Sequence, residues 1–262
     1  MTEKTLLLER TPDGIGIITF NRPHLLNALD IATMREFAKV VEDLQHDEDL
    51  RVLILTGAGE RSFCSGADLF ELADHSSEEE AREMITIMGD ALLHLERLPV
   101  PVIAAINGYA LGGGSEIALA CDMRILDEKA RLGLIQIRVG VTPGWGAGQR
   151  LLRVLGYSRA MEFLLRGHIM HAREVQAYGL ANQVVAQGRA LWYAKNFARR
   201  IAQEPPKVVR GIKALLQAGL NEPYEKALQT ERDIFPPLWA DEPHAKAVEA
   251  FLARQAIREE AE

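Results

Sequence analysis

Apolar positions along this chain keep two rhythms, and the balance between them changes near residue 140. Before that point, short runs rich in β-branched side chains recur between polar breaks: Leu6-Leu7-Leu8-Glu9, Ile15 to Phe20, Leu53-Ile54-Leu55-Thr56-Gly57, Val102 to Ile106 and Met123-Arg124-Ile125-Leu126. Runs of this length and composition read as buried strands. Thr11-Pro12-Asp13-Gly14 is a turn signature, so the first two form a β-hairpin. Between the strands the spacing lengthens. Met34, Phe37, Ala38, Val41 and Leu44 predict a helix from Ile31 to Gln45, capped by Asn27 or Asp30. Ser76 and Ser77 before Glu78-Glu79-Glu80 start another, which runs to Arg97 ahead of Pro99. Arg131 to Ile137 continues the sheet pattern.

From Trp145 onward the pattern is helical. Leu151 to Leu155 stops at Gly156, Ser158 starts Ala160 to Arg166, and Ala172 to Tyr178 stops at Gly179; Gln183-Val184-Val185 is a return strand. Prolines divide the remainder into helices near 190–203, 206–218, 224–234 and 244–258. Strands alternating with helices and then a helical tail imply an α/β layer with parallel strands. No fixed sequence period accompanies the strand-turn units.

Composition narrows the function classes. The chain has 262 residues, 48% hydrophobic and 26% charged, enough for one large α/β domain with a substantial core. Its net charge of −7 gives no support to nucleic-acid or anionic-membrane binding. Two cysteines, Cys64 and Cys121, sit in apolar stretches and read as reduced core thiols. Without a signal-peptide pattern or an apolar run near the ~20 residues that span a bilayer, a cytoplasmic protein is expected. His168 and His171 lack a flanking ligand set, Gly144-Trp145-Gly146-Ala147-Gly148 has the wrong spacing for a dinucleotide loop, and neither a phosphate-loop nor a Gly-x-Ser-x-Gly motif occurs.

Candidate chemistry concentrates where strands end. After Val102 to Ile106 the chain passes Gly112-Gly113-Gly114 into a helix beginning Ser115-Glu116. Unpaired N–H groups and the dipole at a helix start can hold a developing negative oxygen, and Glu116, one turn in, can reach the same space. The same junction is also what tight strand–helix packing looks like, with Glu116 merely favouring the dipole. A second bend, Ser65-Gly66-Ala67-Asp68, follows the strand at Leu53 to Gly57. Two parallel strands would bring both bends to one end of a sheet, where α/β ligands bind.

At this point the sequence resembles the enoyl-CoA hydratase/isomerase, or crotonase, family. The likeness is carried by Phe20-Asn21-Arg22-Pro23 with Asn27-Ala28-Leu29, by Phe63 to Leu69, by Asn107 to Glu116, by Gly140-Val141-Thr142-Pro143-Gly144 and by Ala177 to Ala181. The resemblance implies a crotonase-like α/β fold, a spiral of ββα units over 1–200 carrying the acyl-CoA site, with a C-terminal helical trimerisation region over 201–262. It also implies an oxyanion hole made by the N–H groups of Ala67 and Gly113, catalysis by Glu116, and CoA contacts around His24, Leu26, Asp68, Leu69, Phe70 and Trp145. No metal or separate cofactor is implied, since CoA is part of the substrate. Homotrimers, often stacked as hexamers, are implied, with no nucleic-acid or membrane partner.

Three departures bear on the reaction. A second glutamate is expected about twenty residues after Glu116, and Gln136 stands there. Glutamine cannot move a proton as an acid or base; it is either a satisfied core amide or a group that orients water or substrate. Phe70 stands where relatives often carry lysine, and the stretch from Leu69 to Ser76 reads as a mobile lid. Trp145 is either a buried helix-start aromatic or a wall of the pocket. Enoyl-CoA hydration with Glu116 and Gln136 is the leading expectation. Decarboxylation of ethylmalonyl- or methylmalonyl-CoA is the alternative, because loss of carbon dioxide forms the enolate without a second carboxylate, and Glu116 to Trp145, with Asp122 and Arg124, is similar to such decarboxylases. Double-bond isomerisation and a non-catalytic RNA-binding or scaffolding role stand behind these.

Overall fold

The structure is a computed structural model that describes residues 4–73 and 77–259, with side chains as far as residue 254. It divides into two compact units, Met1–Ala202 and Gln203–Glu262.

The first unit opens with the hairpin β1 (Leu6–Arg10) and β2 (Ile15–Phe20), joined by Thr11, whose hydroxyl accepts from Ile15 N at 3.0 Å. Helix α1 (Ile31–Gln45) begins at Asp30, which accepts from Thr33 N at 2.7 Å. Asn27 is not the cap: it lies at φ 58° and spends its side chain on Ala58 and Ser62 carbonyls, at 3.0 and 2.7 Å. Then come β3 (Val52–Gly57), β4 (Ser62–Cys64), α2 (Leu69–Leu72) and α3 (Glu78–Glu96), the last started by a capping box between Ser77 and Glu80. The predicted lid over 69–76 is in its first half this α2 turn, closed by Asp68 accepting from Phe70 N at 3.2 Å; residues 74–76 lie outside the described residues.

The chain continues through β5 (Val102–Ile106), β6 (Tyr109–Leu111), α4 (Gly113–Ala120), β7 (Met123–Asp127), β8 (Arg131–Gly133), a 3₁₀ turn at Gln136–Val139, α5 (Ala147–Leu155), α6 (Tyr157–Arg166), β9 (Met170–His171), α7 (Ala172–Ala177), β10 (Gln183–Val185) and α8 (Ala190–Gln203). The run predicted from Arg131 to Ile137 as one sheet segment is therefore a strand of three residues and then a tight turn.

Two sheets result, where the hydrophobic pattern implied one. The larger has the order β1-β2-β3-β5-β7-β10, the smaller β4-β6-β8-β9. Within the larger, β2, β3, β5, β7 and β10 are parallel, with Leu53 opposite Val102 and Ile103 opposite Met123. Successive strands go one to each sheet: β3 then β4, β5 then β6, β7 then β8. This is a structural repeat with no sequence period, because β4, β6 and β8 have only three residues each.

One core fills the space between the sheets and α1, α3 and α4. Phe20, Phe37 and Phe63 are fully buried there, the ring centroids 5.6 Å apart for Phe20–Phe63 and 5.8 Å for Phe20–Phe37. A second core, with Ile15, Ile17, Val52, Ile54 and Ile103, packs the other face of the larger sheet against Ala190, Ala194 and Ala198 of α8. Asp127 starts that helix, accepting from Gly188, Arg189 and Ala190 N–H at 3.0, 2.9 and 2.8 Å. Asp127→Ala leaves three helix-start donors unpaired, the Ala190 N–H among them buried, and is expected to lower stability by about 2 kcal/mol, read as the shift in a chemical denaturation midpoint.

The second unit holds α9 (Pro206–Asn221), α10 (Tyr224–Trp239) and α11 (Glu242–Glu259). All three are longer than the sequence implied. Pro236 and Pro237 do not end α10, since Pro236 keeps its carbonyl and accepts from Ala240 N at 3.1 Å. Among the described residues no helix is long and apolar enough to cross a membrane.

Candidate active site

β4, β6 and β8 lie side by side and parallel, so the segments leaving them emerge at one end of the smaller sheet. Those segments are 65–68, 112–114 and 134–136. The two bends are therefore neighbours because of the small sheet, and not, as expected, through the large one.

In the first bend, Leu29 N donates to Gly66 O at 2.8 Å and Asp68 N to Leu29 O at 2.9 Å. A residue bracketed by such a bridge turns its own N–H to the opposite side, so the Ala67 amide faces away from Leu29. Gly66 holds φ +96°, and a methyl on its Cα would stand 2.8 Å from Gly113 N. Only glycine lets the two bends touch backbone to backbone.

The second bend differs from expectation. The helix begins at Gly113, two residues before Ser115, with Glu116 N donating to Gly112 O at 3.1 Å. Gly113 and Gly114 form its first turn, and β4 passes so close that a methyl on Gly114 would collide with the Cys64 carbonyl. Gly113 thereby presents its N–H in the first turn of α4, at the positive end of the dipole. Ser115 is fully buried and ties the sheet together, donating to Ala110 O at 2.6 Å and accepting from Gly133 N at 3.1 Å.

Glu116 is 2% exposed, one turn into α4. Its Oε1 accepts from Gln136 Nε2 at 2.8 Å and Gly144 N at 3.4 Å; its Oε2 accepts from Trp145 N at 2.8 Å and Ala147 N at 3.0 Å. Burial pushes this carboxyl above the ordinary range, and the four donors pull against that without cancelling it. The carboxylate also receives the first amide of α5, which has no side-chain cap of its own.

Gln136 is brought to Glu116 as the sequence implied, and it is only half satisfied. A carboxylate accepts hydrogen bonds and donates none, so the amide nitrogen must face Glu116 and the amide oxygen must point elsewhere. That oxygen is buried with no hydrogen-bond partner among the described residues. An orphaned acceptor costs about 1–3 kcal/mol, and such a group in a cleft marks a place for a donor hydrogen.

Trp145 is 4% exposed. Its ring lies on the Cα of Gly113, where a methyl would collide with Cζ3 and Cη2. Its carbonyl accepts from Arg150 Nη1 at 2.8 Å, and Arg150 Nε donates to Glu96 of α3 at 2.9 Å. This Glu96–Arg150 clamp was not foreseen; the two residues are far apart in sequence and neither carries a motif.

The remaining predicted residues divide. His24 is exposed on the 3₁₀ turn Pro23–Leu25, and Leu26, half-buried at φ 54°, accepts from Ser65 N at 3.1 Å, which sets this turn beside the first bend. Leu69 and Phe70 are 62% and 87% exposed at the start of α2. Asp68 is buried and its carboxylate is committed, to Arg22 at 3.0 Å and to Phe70 N. Asp122 and Arg124 serve the backbone at the other end of α4: Asp122 accepts from Val102 N at 2.7 Å, while Arg124 donates to Cys121 O at 2.7 Å and Leu180 O at 2.6 Å. Burial pushes the Cys64 thiol up to about 12, which keeps it protonated and unreactive. No group of three or more metal-ligating side chains occurs among the described residues.

Two glycine bends in backbone contact lie beside a buried carboxylate, in a chain that is similar along nearly its whole length to proteins of known kind. A model of the family described as enoyl-CoA hydratase/isomerase matches residues 10–258. The chain belongs to the enoyl-CoA hydratase/isomerase family. A short-chain-enoyl-CoA hydratase of Clostridium acetobutylicum is 36% identical over 244 residues, covering 93% of each chain. A crystal structure of an enoyl-CoA hydratase from Bacillus anthracis superposes with a TM-score of 0.90 at 35% identity, over 96% of this chain and 97% of that one. An ethylmalonyl-CoA decarboxylase of Gallus gallus is 33% identical over 92% of this chain and 82% of its own length. The crotonase fold is thus established for this member of the enoyl-CoA hydratase/isomerase family, and its relatives include two kinds of acyl-CoA lyase.

Proposed function

We propose that this protein is an enoyl-CoA hydratase that works with one carboxylate. The observation that carries the reading is the Glu116–Gln136 pair: a buried carboxylate held by an amide whose own oxygen is left as an unpaired acceptor. The thioester oxygen of a 2-enoyl-CoA sits between the Ala67 and Gly113 amides. A water donates one hydrogen to Glu116 and the other to Gln136 Oε1. Glu116 takes the first proton as the water oxygen bonds to C3, and the π electrons move through C2 to the thioester oxygen, where the two amides stabilise the enolate. Glu116 then returns the proton to C2 as the enolate collapses, so one water is added and the carboxylate is restored. Gln136 positions and does not titrate.

The CoA moiety runs over the exposed His24, Leu69 and Phe70 and the half-buried Leu26, while Asp68 acts by fixing α2. No cofactor is required beyond the CoA of the substrate. The working form is a homotrimer or a hexamer built as a dimer of trimers; exposed Leu216, Leu220, Phe235 and Trp239 in the C-terminal unit favour assembly over a lone chain.

A second reading, decarboxylation of a malonyl-type CoA, is favoured by the amide at position 136, since carbon dioxide loss needs the two amides and no second carboxylate. Incubation with crotonyl-CoA and with ethylmalonyl-CoA separates the two. Fast loss of the enoyl chromophore with background carbon dioxide release is expected; the reverse result overturns hydration and installs decarboxylation. If neither ester turns over nor binds, a non-catalytic role replaces both.

A further inference from the structure

We propose that Trp145 is the floor of the acyl pocket and restricts this enzyme to acyl chains of about four carbons. The inference rests on the acyl-CoA reading above and adds to it a substrate class. With the thioester oxygen at Gly113 N, C2 and C3 must lie beside the Glu116 carboxylate, and the carbons that follow run toward the segment donating to that carboxylate. This segment is Gly144-Trp145-Gly146-Ala147, and Trp145 is its one large side chain. Its indole does not face solvent but spans from the Glu116 side to the Cα of Gly113. The ring therefore occupies the space that a fifth and later acyl carbon would need.

The point from which the ring projects is fixed as well. The Trp145 backbone is held on both sides, its N–H by Glu116 Oε2 at 2.8 Å and its carbonyl by Arg150 Nη1 at 2.8 Å. Arg150 is in turn fixed to Glu96 of α3, and Ile85 of the same helix closes on Gly144, where a methyl would meet Ile85 Cγ2 at 2.9 Å. These contacts fix the Cα–Cβ bond from which the indole projects, so the ring can move only by rotating about its own side-chain torsions, within the core that encloses it.

The test uses saturated esters, which bind without reacting, so that it does not depend on which reaction the site performs. Affinities for butanoyl-CoA and octanoyl-CoA are measured by calorimetry for the wild type, Trp145→Phe and Trp145→Ala, with thermal denaturation confirming that each is folded. The wild type is expected to bind butanoyl-CoA at least tenfold more tightly. Each methylene accommodated in an apolar pocket strengthens binding by about fourfold, so Trp145→Ala is expected to shift the ratio toward octanoyl-CoA by more than tenfold, and Trp145→Phe by less. The milder variant keeps an aromatic ring in the core and stands in should the alanine variant not fold. Equal binding of the two esters by the wild type, or a ratio unchanged in the folded variants, overturns the floor while leaving the acyl-CoA site standing. Failure of the wild type to bind either ester removes both.

Discussion

Glu116→Gln is expected to lower kcat for hydration by about 10²- to 10⁴-fold while leaving acyl-CoA affinity close to the wild-type value, because one carboxylate both takes the proton from water and returns it to C2. The geometry makes this an unusually clean substitution. In the wild type Gln136 gives its amide nitrogen to Glu116 Oε1 and has an unpaired oxygen. A glutamine at 116 can keep its oxygen on Trp145 N and Ala147 N and turn its nitrogen to Gln136, whose amide rotates to offer the oxygen; of the four donors only Gly144 N, the longest contact at 3.4 Å, loses its acceptor. The variant should therefore fold with little loss of stability, and steady-state kinetics together with a binding isotherm will check both halves of the expectation.

The pH dependence follows from the same group. The carboxyl is held above the ordinary carboxylate range, burial being the main cause, and only its ionised form accepts a proton. Activity is expected to fall as pH drops, through a single-proton limb lying above the usual value of about 4.3. Stability moves the other way. Between the unfolded and the raised folded value the native state holds an extra proton, so this contribution is present at low pH and is lost as pH rises through the folded value. Any residual activity of Glu116→Gln should lack the acid limb, and a limb that survives would move the acid/base role to another residue.

Gly66→Ala is expected to be the most damaging single change outside Glu116. The added methyl would stand 2.8 Å from Gly113 N, on a backbone held at φ +96°. Left-handed strain and overpacking each cost about 1–3 kcal/mol. Relief requires the two bends to separate, which misaligns the Ala67 and Gly113 amides. Losing one oxyanion donor costs about 10²–10³ in kcat. The expected result is a fall of that order, with Glu116 and its donors intact and a lowered denaturation midpoint. Full activity in a folded Gly66→Ala protein would show that the contact between the bends does not serve the reaction.

Much of this molecule was legible in its sequence where local chemistry decides structure. Helix α1 has the predicted bounds, and the strands through Leu55, Ala104 and Ile125 stand where β-branched runs put them. Ala67, Gly113, Glu116 and Gln136 were singled out from motif and resemblance, and they converge at the ends of β4, β6 and β8. What was not legible depends on pieces too short to keep a period or on partners far along the chain. Strands of three residues cannot show alternation, so the small sheet was unseen, and with it the reason the bends are neighbours. The four donors to Glu116 come from 136, 144, 145 and 147, and no pattern in those residues announces an anion site. Two glycines at a strand end read as a turn; they open the helix instead, and they are glycines because the Trp145 ring at Gly113 and the Cys64 carbonyl at Gly114 leave no room for a side chain.

The burial of Trp145 has a practical corollary. The chain has three tryptophans, and Trp192 and Trp239 are 53% and 60% exposed. Aqueous quenchers are expected to extinguish Trp192, and Trp239 wherever assembly leaves it open, and to spare the indole lying on Gly113, whose emission is expected to be blue-shifted. Site occupancy can then be followed optically in the unlabelled protein, with Trp192 silenced as background.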